Sequence, residues 1–527
     1  MTFSHSSPAT RSRSAVSLET DGVATLIRDS AAGWLGDFLP RRRWFGDKTR
    51  RLAGITVEDL AVDEAGDEYH VFLIAAVSFD HGPLSRYFVP LALLPPTASP
   101  TPAGTVVTSV TTPSGEYRVV DAFASETFRR QLINDVSAET SVAMGHGTLT
   151  WRSISQAFIK QGTDSNHSVE DSRVLDAEQS NTSVVYGNRL FLKVFRKLQP
   201  GINPDFEIGR FLTMHTSFRH FPTLLGELLY QSADGASTAL GMVQTFSPSL
   251  GDAWSITLQR LQEAIVSAGD NGSTTEQGDN RSALVEAARL LGQRTGELHA
   301  ALASVHTDEA FAPEPITDAD IEHWSSALRT DLDRVLKELG SHTGHLPPSV
   351  VDRLAAGDVA GSVEPRIQGF NALIGLEKTR VHGDYHLSQV LWTPSGDFVI
   401  LDFEGEPARP LEERRRKTSP LKDVAGMLRS FAYAGAATRL ANPGAFPAAE
   451  AVTRRWEGQA RVAFLAGYSE ETVSRGATFV PSDQDRLAEA LGAWELDKVV
   501  YEVHYELNNR PDWLHLPLEA LRHPRPL

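Results

Sequence analysis

Two short apolar runs joined by a polar turn stand out in the C-terminal half of the chain. Residues 389–392 and 398–402 are rich in aliphatic and aromatic residues, and the five residues between them include proline and glycine. This pattern predicts a β-hairpin. Because the two ends of a hairpin lie side by side, we expect it to bring Asp384, Gln389 and Asp402 together.

The rest of the chain divides into a strand-rich first half and a helical second half. Alternating apolar positions predict strands over 54–62, 68–78 and 85–94, among others. Further along, apolar residues at helical spacing predict long helices, such as the one over 281–304. The polar stretch 269–281, rich in glycine, serine and asparagine, predicts a mobile insertion before that helix. The pattern as a whole indicates an α+β fold.

Composition and charge narrow the range of functions. The 527-residue chain carries 50 basic and 67 acidic side chains, a formal net charge of −17. This balance argues against nucleic acid or an anionic membrane as the main partner. The absence of cysteine excludes disulfides, thiolate metal sites and cysteine nucleophiles. Residues 1–20 are rich in Ser, Thr and Arg without an apolar run of signal-peptide length, so we expect a cytoplasmic protein with a disordered leader and no membrane segment.

Asp384, Gln389 and Asp402 offer the side chains that phosphoryl transfer needs. That reaction uses an aspartate that accepts a hydroxyl proton, and an amide and a carboxylate that hold Mg²⁺ on the nucleotide phosphates. Gln389 follows Asp384 by five residues and Asp402 follows it by eighteen, as in the catalytic and metal loops of kinase-like enzymes. The alternative is a structural hairpin with incidental acids, but three residue types at two matching spacings favour the catalytic interpretation.

A second candidate group lies in the first half of the chain, where two predicted strands flank a tight turn at 187–188. Small polar residues at the start of the first strand predict a loop that covers phosphates with hydroxyl and backbone N–H groups in place of glycines. The residues of this loop are Gln179, Ser180, Asn181, Thr182 and Ser183. Lys193, on the second strand, is the predicted phosphate anchor, and Glu207, on the next helix, is its predicted ion-pair partner. The alternative for Lys193 is an exposed strand lysine.

Five motifs together, at 176–183, 193–196 with 201–205, 382–386, 402–407 and 496–506, resemble those of bacterial maltokinases. The likeness runs from about residue 41 to 518. It places the chain with the protein-kinase-like and aminoglycoside phosphotransferase-like superfamily. His-Gly-Asp at 382–384, where protein kinases have His-Arg-Asp, points to the branch that phosphorylates small molecules.

The resemblance implies a bilobal, kinase-like fold. We expect a leader over 1–20, a β-rich N-terminal cap over 21–105, an intermediate, nucleotide-binding lobe over 106–246 and a helical C-terminal lobe over 247–527. It also implies transfer of phosphate from ATP, with Mg²⁺ or Mn²⁺, to the anomeric hydroxyl of maltose. The product, maltose 1-phosphate, would feed α-1,4-glucan (glycogen) synthesis from trehalose, with a possible trehalose synthase partner.

Residue by residue, the resemblance makes Asp384 the catalytic base and Gln389 and Asp402 the metal ligands. It also implies a sugar-binding wall made of His386, Lys498, Tyr501 and Tyr505. The spacing of three of them agrees with this. Lys498 and Tyr501 are three residues apart and Tyr501 and Tyr505 are four apart, so all three share one face of a predicted helix. The alternative is that these are ordinary helix-surface and core residues.

Two other functions remain open. A kinase of another small acceptor, such as glucosamine or an aminoglycoside, would keep the hairpin but should lack the 404–407 motif and the Lys498/Tyr501/Tyr505 face. A catalytically silent binding module should have lost Lys193, Asp384 or Asp402, and all three are present. The chain departs from the maltokinase pattern at Ser388, where the motif usually carries glycine, in the 269–281 stretch and in its extended N-terminus.

Overall fold

The structure is a computed structural model, and it describes residues 12–13, 18–102, 104–154, 171–175, 180–269, 274–341, 358–407 and 409–522. The chain forms two compact units. The first contains Met1–Arg210 and Pro222–Phe246, and the second contains Phe211–Phe221 and Ser247–Leu527. The strand-rich and helical halves expected of an α+β chain are confirmed. The domain boundaries at 105 and 246 stay predictions.

The first unit is built mainly from strands. They are β1 (Ser12–Arg13), β2 (Leu52–Ala65), β3 (Glu68–Phe79), β4 (Ser85–Phe88), β5 (Leu91–Leu94), β6 (Val106–Thr112), β7 (Gly115–Asp121), β8 (Ser141–Ala143), β9 (Thr148–Ser153), β10 (Ser172–Leu175), β11 (Asn181–Tyr186), β12 (Leu190–Phe195), β13 (Lys197–Leu198), β14 (Leu224–Gln231) and β15 (Ser237–Thr245). Three helices accompany them: α1 (Leu18–Phe38), α2 (Glu126–Ala138) and α3 (Pro204–His215), the last of which begins in this unit.

Two sheets organise these strands. One has the order β13-β4-β3-β5-β7-β6, with β2 also paired to β3. It therefore continues beyond residue 105 and includes the two strands up to Asp121. The other has the order β1-β8-β9-β14-β15-β12-β11-β10. Helix α1 packs on one face of the first sheet through Ile27 and Leu35. The opposite face shares a core with α2 and the second sheet, where Phe72 and Trp151 are buried.

The second unit is mainly helical. Its helices are α4 (Ala253–Gly269), α5 (Thr274–Leu302), α6 (Asp318–Ser341), α7 (Asp358–Ile367), α8 (Leu411–Arg414), α9 (Leu421–Ala441), α10 (Phe446–Ser474), α11 (Gln484–Asn509) and α12 (His515–Arg522). Its short strands are β16 (Gly251–Asp252), β17 (Glu314–Pro315), β18 (Glu377–Lys378), β19 (Val390–Trp392) and β20 (Phe398–Ile400). None of the described helices is both long enough and apolar enough to cross a membrane.

The predicted hairpin is confirmed. Strands β19 and β20 pair antiparallel, with Val390 opposite Ile400 and Trp392 opposite Phe398. Strand β16 extends the hairpin to three strands. The turn closes through the backbone N–H of Thr393, which donates to the carbonyl of Asp397 at 2.8 Å. Val390, Trp392, Phe398 and Ile400 are buried, so the strand pattern of the sequence agrees with the environment of these residues in the fold.

The predicted mobile insertion over 269–281 is wrong for most of its length. Residues 270–273 lie outside the described part of the chain, but α5 is helical from Thr274 onward. A helix that is already formed adds a residue at little cost, because only its first turn carries the nucleation penalty. The polar composition of 274–281 therefore marks a polar helix end rather than a loop.

Candidate active site

The hairpin brings Gln389 and Asp402 into contact. Gln389 Nε2 donates a hydrogen bond to Asp402 Oδ2 at 3.0 Å, and the backbone N–H of Leu401 donates to the carbonyl of Gln389 at 2.8 Å. Asp402 has a left-handed backbone, with φ of 62°, which is uncommon outside glycine and is tolerated best by aspartate and asparagine. Its carboxylate thus leaves the strand direction immediately after β20.

The loop that carries Asp384 is fixed from behind by a buried carboxylate. Asp423, in the first turn of α9, accepts hydrogen bonds from the backbone N–H groups of His382 at 2.7 Å and Gly383 at 2.9 Å. Its Oδ2 also lies 3.1 Å from Nε2 of the buried His299. Burial alone would raise the pKa of Asp423, but the hydrogen bond and charge of His299 hold it below its usual value. Asp423 and His299 therefore serve to hold the backbone of this loop in place.

The same loop also contacts the hairpin and helix α9. His382 Nε2 is 2.7 Å from the carbonyl of Leu401, next to Asp402. Gly426 allows α9 to approach closely, since a Cβ at that position would lie 2.7 Å from the carbonyl of Tyr385. These contacts explain how Asp384 and Asp402, eighteen residues apart, are held on one rigid scaffold.

Lys498, on α11, connects Asp384 to a second carboxylate. Its Nζ donates to Asp384 Oδ1 and to Glu406 Oε1, at 3.1 Å in both cases. Burial would lower the pKa of Lys498, but the charges of Asp384 and Glu406 raise it well above its usual value. For Glu406, burial is likewise outweighed by Lys498, Lys422 and Arg409, which hold its pKa well below the ordinary range. Lys498 and Glu406 are therefore both charged at neutral pH.

The predicted sugar-binding residues line one cavity of about 680 Å³ in the second unit. They are Asp384, His386, Lys498, Tyr501 and Tyr505. The rings of Tyr501 and Tyr505 are stacked, with centroids 6.3 Å apart and planes at 20°. Tyr505 remains 42% exposed and available to a ligand. The cavity has the size typical of small-molecule sites.

His386 lies near the predicted base, with its Nε2 3.8 Å from Asp384 Oδ2. Burial lowers the pKa of His386 below its usual value, against the opposing charge of Asp384. The imidazole is therefore neutral at pH 7 and can donate one hydrogen bond and accept another. A neutral imidazole suits a hydroxyl-bearing ligand.

The carboxylates that line this cavity are already paired with cations. These described pairs are Asp384 with Lys498, Glu502 with Arg429 and Glu506 with Arg510. The Glu502–Arg429 pair is buried, with distances of 3.0 and 2.7 Å from the guanidinium to one carboxylate oxygen. The described lining thus offers no carboxylate without a positively charged neighbour.

The ion pair of Lys193 in the first unit includes a partner that the sequence did not predict. Lys193 Nζ lies 2.9 Å from Oδ2 of Asp205, and both side chains are buried. Asp205 lies in the first turn of α3, where Asn203 Oδ1 accepts a hydrogen bond from its backbone N–H at 2.9 Å. Glu207, the predicted partner, lies two residues further along α3 and is half-buried. Asp205 is therefore a partner of Lys193, and the predicted pairing of Lys193 with Glu207 stays a prediction.

Three residues of the predicted phosphate loop lie in a strand, and their contact with phosphate stays a prediction. Asn181, Thr182 and Ser183 belong to strand β11, and Ser183 lies directly opposite Lys193 on β12. Thr182 Oγ1 accepts a hydrogen bond from Arg196 Nε at 2.8 Å. Strand β11 pairs with β12 from Asn181 onward, and the hydrogen bonds between the two strands satisfy the backbone N–H and carbonyl groups of these residues. Of the predicted loop, Ser180 precedes the strand and is exposed, and Gln179 lies outside the described residues.

Two acidic residues near the site were not predicted as functional. One carboxylate oxygen of Glu404 lies within 4.8 Å of one from Asp402. Glu406 contacts Lys498, as described above. Gly405 separates them with a positive φ of 70°, a turn that lets the two side chains diverge. The signal in the sequence was the alternation of acids at 402, 404 and 406, directly after a strand.

Comparison with known proteins adds a family context. Residues 38–124 match the maltokinase N-terminal cap domain. Glucosamine kinase from Mycolicibacterium smegmatis is 28% identical over 356 residues, covering 66% of this chain and 78% of that protein. Glucosamine kinase from Streptacidiphilus jiangxiensis is 26% identical over 366 residues, covering 68% of this chain and 75% of that protein.

Solved structures agree on the fold. A glucosamine kinase in complex with glucosamine, ADP and inorganic phosphate aligns with a TM-score of 0.60 at 22% identity, covering 88% of this chain and 93% of the other. Another crystal form of a glucosamine kinase aligns with a TM-score of 0.62 at 20% identity, covering 92% and 98%. The chain shares the fold of these glucosamine kinases. This likeness confirms the predicted kinase-like fold class.

Proposed function

We propose that this kinase transfers the γ-phosphoryl group of ATP to the anomeric hydroxyl of maltose, giving maltose 1-phosphate and ADP. The match of residues 38–124 to the maltokinase cap domain supports this proposal, as do the C-terminal motifs that resemble maltokinases. The observation that carries it is the charge state of the acceptor cavity. Each carboxylate described in its lining is already neutralised by a lysine or arginine.

This charge arrangement favours a neutral sugar over an amino sugar. A buried ammonium group needs an anionic or hydrogen-bonding partner to offset its lost hydration. To bind glucosamine through its ammonium, this cavity would have to share a carboxylate that already faces a lysine or an arginine. The tyrosine rings and the neutral His386 instead suit the hydroxyl groups and apolar faces of a neutral saccharide.

The residues divide the work of phosphoryl transfer in a simple way. Asp384 orients the acceptor hydroxyl and takes its proton as the new oxygen–phosphorus bond forms. Lys498 neutralises Asp384 on its other oxygen, and Tyr501 and Tyr505 hold the sugar. Lys193, fixed by Asp205, would contact the nucleotide phosphates.

The side-chain oxygens at the two ends of the hairpin are suitable ligands for a hard divalent cation. Gln389, Asp402 and Glu404 supply amide and carboxylate oxygens, the ligand set that Mg²⁺ prefers in phosphoryl-transfer enzymes. When bound there, the ion would neutralise the charge on the nucleotide phosphates. Mn²⁺ has similar ligand preferences and could replace it.

Glucosamine kinase is the second candidate function, because the two curated relatives above carry that name. The deciding experiment measures ATP-dependent phosphorylation of maltose, glucose, trehalose, glucosamine and an aminoglycoside by the full chain with Mg²⁺. We expect the highest kcat/KM for maltose. A higher kcat/KM for glucosamine than for maltose would overturn the proposal.

A variant of the tyrosine wall links that activity to the cavity. Tyr501→Ala should raise the KM for maltose by roughly tenfold, since it removes a hydrogen bond and a stacking contact worth about 1–2 kcal/mol. The KM for ATP should stay within about twofold of the wild-type value. A change in the KM for ATP alone would place Tyr501 outside the acceptor site.

The supply of maltose 1-phosphate to glucan synthesis and an association with trehalose synthase remain predictions of the maltokinase resemblance.

The Lys193–Asp205 pair gives a separate prediction for the nucleotide. Lys193→Met and Asp205→Asn should each lower kcat/KM for ATP, because either change removes one charge of a buried ion pair. The double variant should lose less than the two single losses combined, with a coupling of roughly 1–3 kcal/mol. Glu207→Gln is the matched comparison. If the losses in kcat/KM were additive for Lys193 and Asp205 but coupled for Lys193 and Glu207, then Glu207 would be the functional partner of Lys193.

A further inference from the structure

Glu406 is a buried carboxylate in the middle of a chain of alternating charges. Its Oε1 accepts a hydrogen bond from Lys498 at 3.1 Å, and its Oε2 accepts one from Arg409 Nε at 2.6 Å. Its side chain is only 2% exposed. Arg409 in turn donates to Glu413. The resulting sequence of side chains is Asp384, Lys498, Glu406, Arg409 and Glu413, with charges that alternate from end to end.

Stability gives little reason for this arrangement. Burying an ion pair costs desolvation energy that its mutual attraction offsets only in part, so an apolar residue of similar size often serves a core as well or better. Glu406 is also separated from Glu404 by the positive-φ turn at Gly405. That turn lets Glu406 reach Lys498 while Glu404 stays beside Asp402.

Lys498 lies between two carboxylates, those of Asp384 and Glu406. Lys498 Nζ lies at the same distance, 3.1 Å, from Asp384 Oδ1 and from Glu406 Oε1. If Glu406 were uncharged, Asp384 would be the main anion in contact with Lys498, and the ammonium would shift toward it. The lysine would then compete with an acceptor hydroxyl for the carboxylate.

We propose that Glu406 is a positioning residue that holds Lys498 to one side of Asp384 and so keeps Asp384 Oδ2 open to the acceptor hydroxyl. This inference rests on the proposed function, in which Asp384 is the base. The hydroxyl proton passes to Asp384 as the acceptor oxygen bonds to the γ-phosphorus. The bond between that phosphorus and the bridging oxygen breaks, and its electron pair leaves with ADP.

The test is Glu406→Gln, which keeps the size of the side chain and removes its charge. We expect kcat to fall by about tenfold or more, the effect of losing a hydrogen bond between charged groups. The KM for ATP should not change. In a Lys498→Met background the same substitution should alter kcat by less than about twofold, because Glu406 acts only through that lysine. Glu413→Gln, at the exposed end of the charge chain, is the matched control and should stay close to wild type.

The outcomes separate this inference from the proposed function. If the wild-type enzyme phosphorylates no sugar, or if Asp384→Asn retains activity, the proposed function fails. If both behave as proposed but Glu406→Gln keeps the wild-type kcat, the positioning role is overturned. The inference would also be overturned if the loss of kcat in the Glu406→Gln/Lys498→Met variant equalled the product of the two single losses.

Should Glu406→Gln not fold, as judged by thermal unfolding, Glu406→Asp replaces it. That variant keeps the charge but shortens the side chain, so it should lower kcat with an unchanged KM for ATP, and a wild-type kcat would count against the inference.

Discussion

Replacing Asp384 with asparagine is expected to lower kcat by roughly 10²–10⁴-fold, the usual contribution of a positioned general base. Asparagine has the same shape, and its amide oxygen can still accept the hydrogen bond from Lys498 that Asp384 Oδ1 accepts at 3.1 Å. It cannot take the proton of the acceptor hydroxyl. The KM for ATP should change little, because Asp384 lies in the acceptor cavity with Tyr501 and Tyr505.

Steady-state kinetics with maltose and ATP would measure this effect. Asp397→Asn provides a matched control, since it makes the same chemical change in the turn of the same hairpin. Asp397 pairs with Arg294 at 2.8 Å and has no role in the proposed chemistry. We expect its kcat to remain close to the wild-type value. An Asp384→Asn enzyme with more than about a tenth of wild-type kcat would contradict the assignment of Asp384 as the base.

The parts of the site that could be predicted depend on local sequence. The hairpin follows from two β-rich runs and a turn, and its pairing then fixes how Gln389 and Asp402 meet. Likewise, the spacing of Lys498, Tyr501 and Tyr505 places them on one side of α11. In both cases one secondary-structure element supplies the geometry, so the pattern of residues along the chain is sufficient.

The parts that could not be predicted depend on how separate elements meet. The pairing of Lys193 with Asp205 depends on the rotation of α3 relative to β12. The start of β11 is decided by pairing with β12, which draws Asn181, Thr182 and Ser183 into the sheet. Local sequence propensity determines neither of these contacts, because tertiary contacts routinely override it.

Glu406 illustrates the same limit for charged groups. Its sequence neighbours suggest a solvated acidic segment, yet its side chain is 2% exposed. It can be buried as an anion because Lys498 comes from α11 and Arg409 comes from the segment before α8. A carboxylate loses less from desolvation when two cations reach it from different elements. Only the assembled unit reveals that compensation.

The metal assignment predicts the second large effect. Asp402→Asn should lower turnover at saturating ATP by roughly 10²–10³-fold, since the lost charge stabilisation of several kcal/mol converts at about 1.4 kcal/mol per tenfold. Asparagine tolerates the left-handed backbone of Asp402, and its amide oxygen can accept the hydrogen bond from Gln389 Nε2. The variant therefore removes a charge while keeping the fold.

Titration of activity with Mg²⁺ and with Mn²⁺ would measure that effect. The wild-type enzyme should lose activity when a chelator removes divalent cations and regain it on addition of either ion. Asp402→Asn should need a higher Mg²⁺ concentration for half-maximal activity as well as having a lower maximum, because one carboxylate ligand is gone. Asp397→Asn should follow the wild-type titration, since Asp397 pairs with Arg294 in the hairpin turn. Near-normal turnover by Asp402→Asn at ordinary Mg²⁺ concentrations would show that Asp402 does not hold the ion.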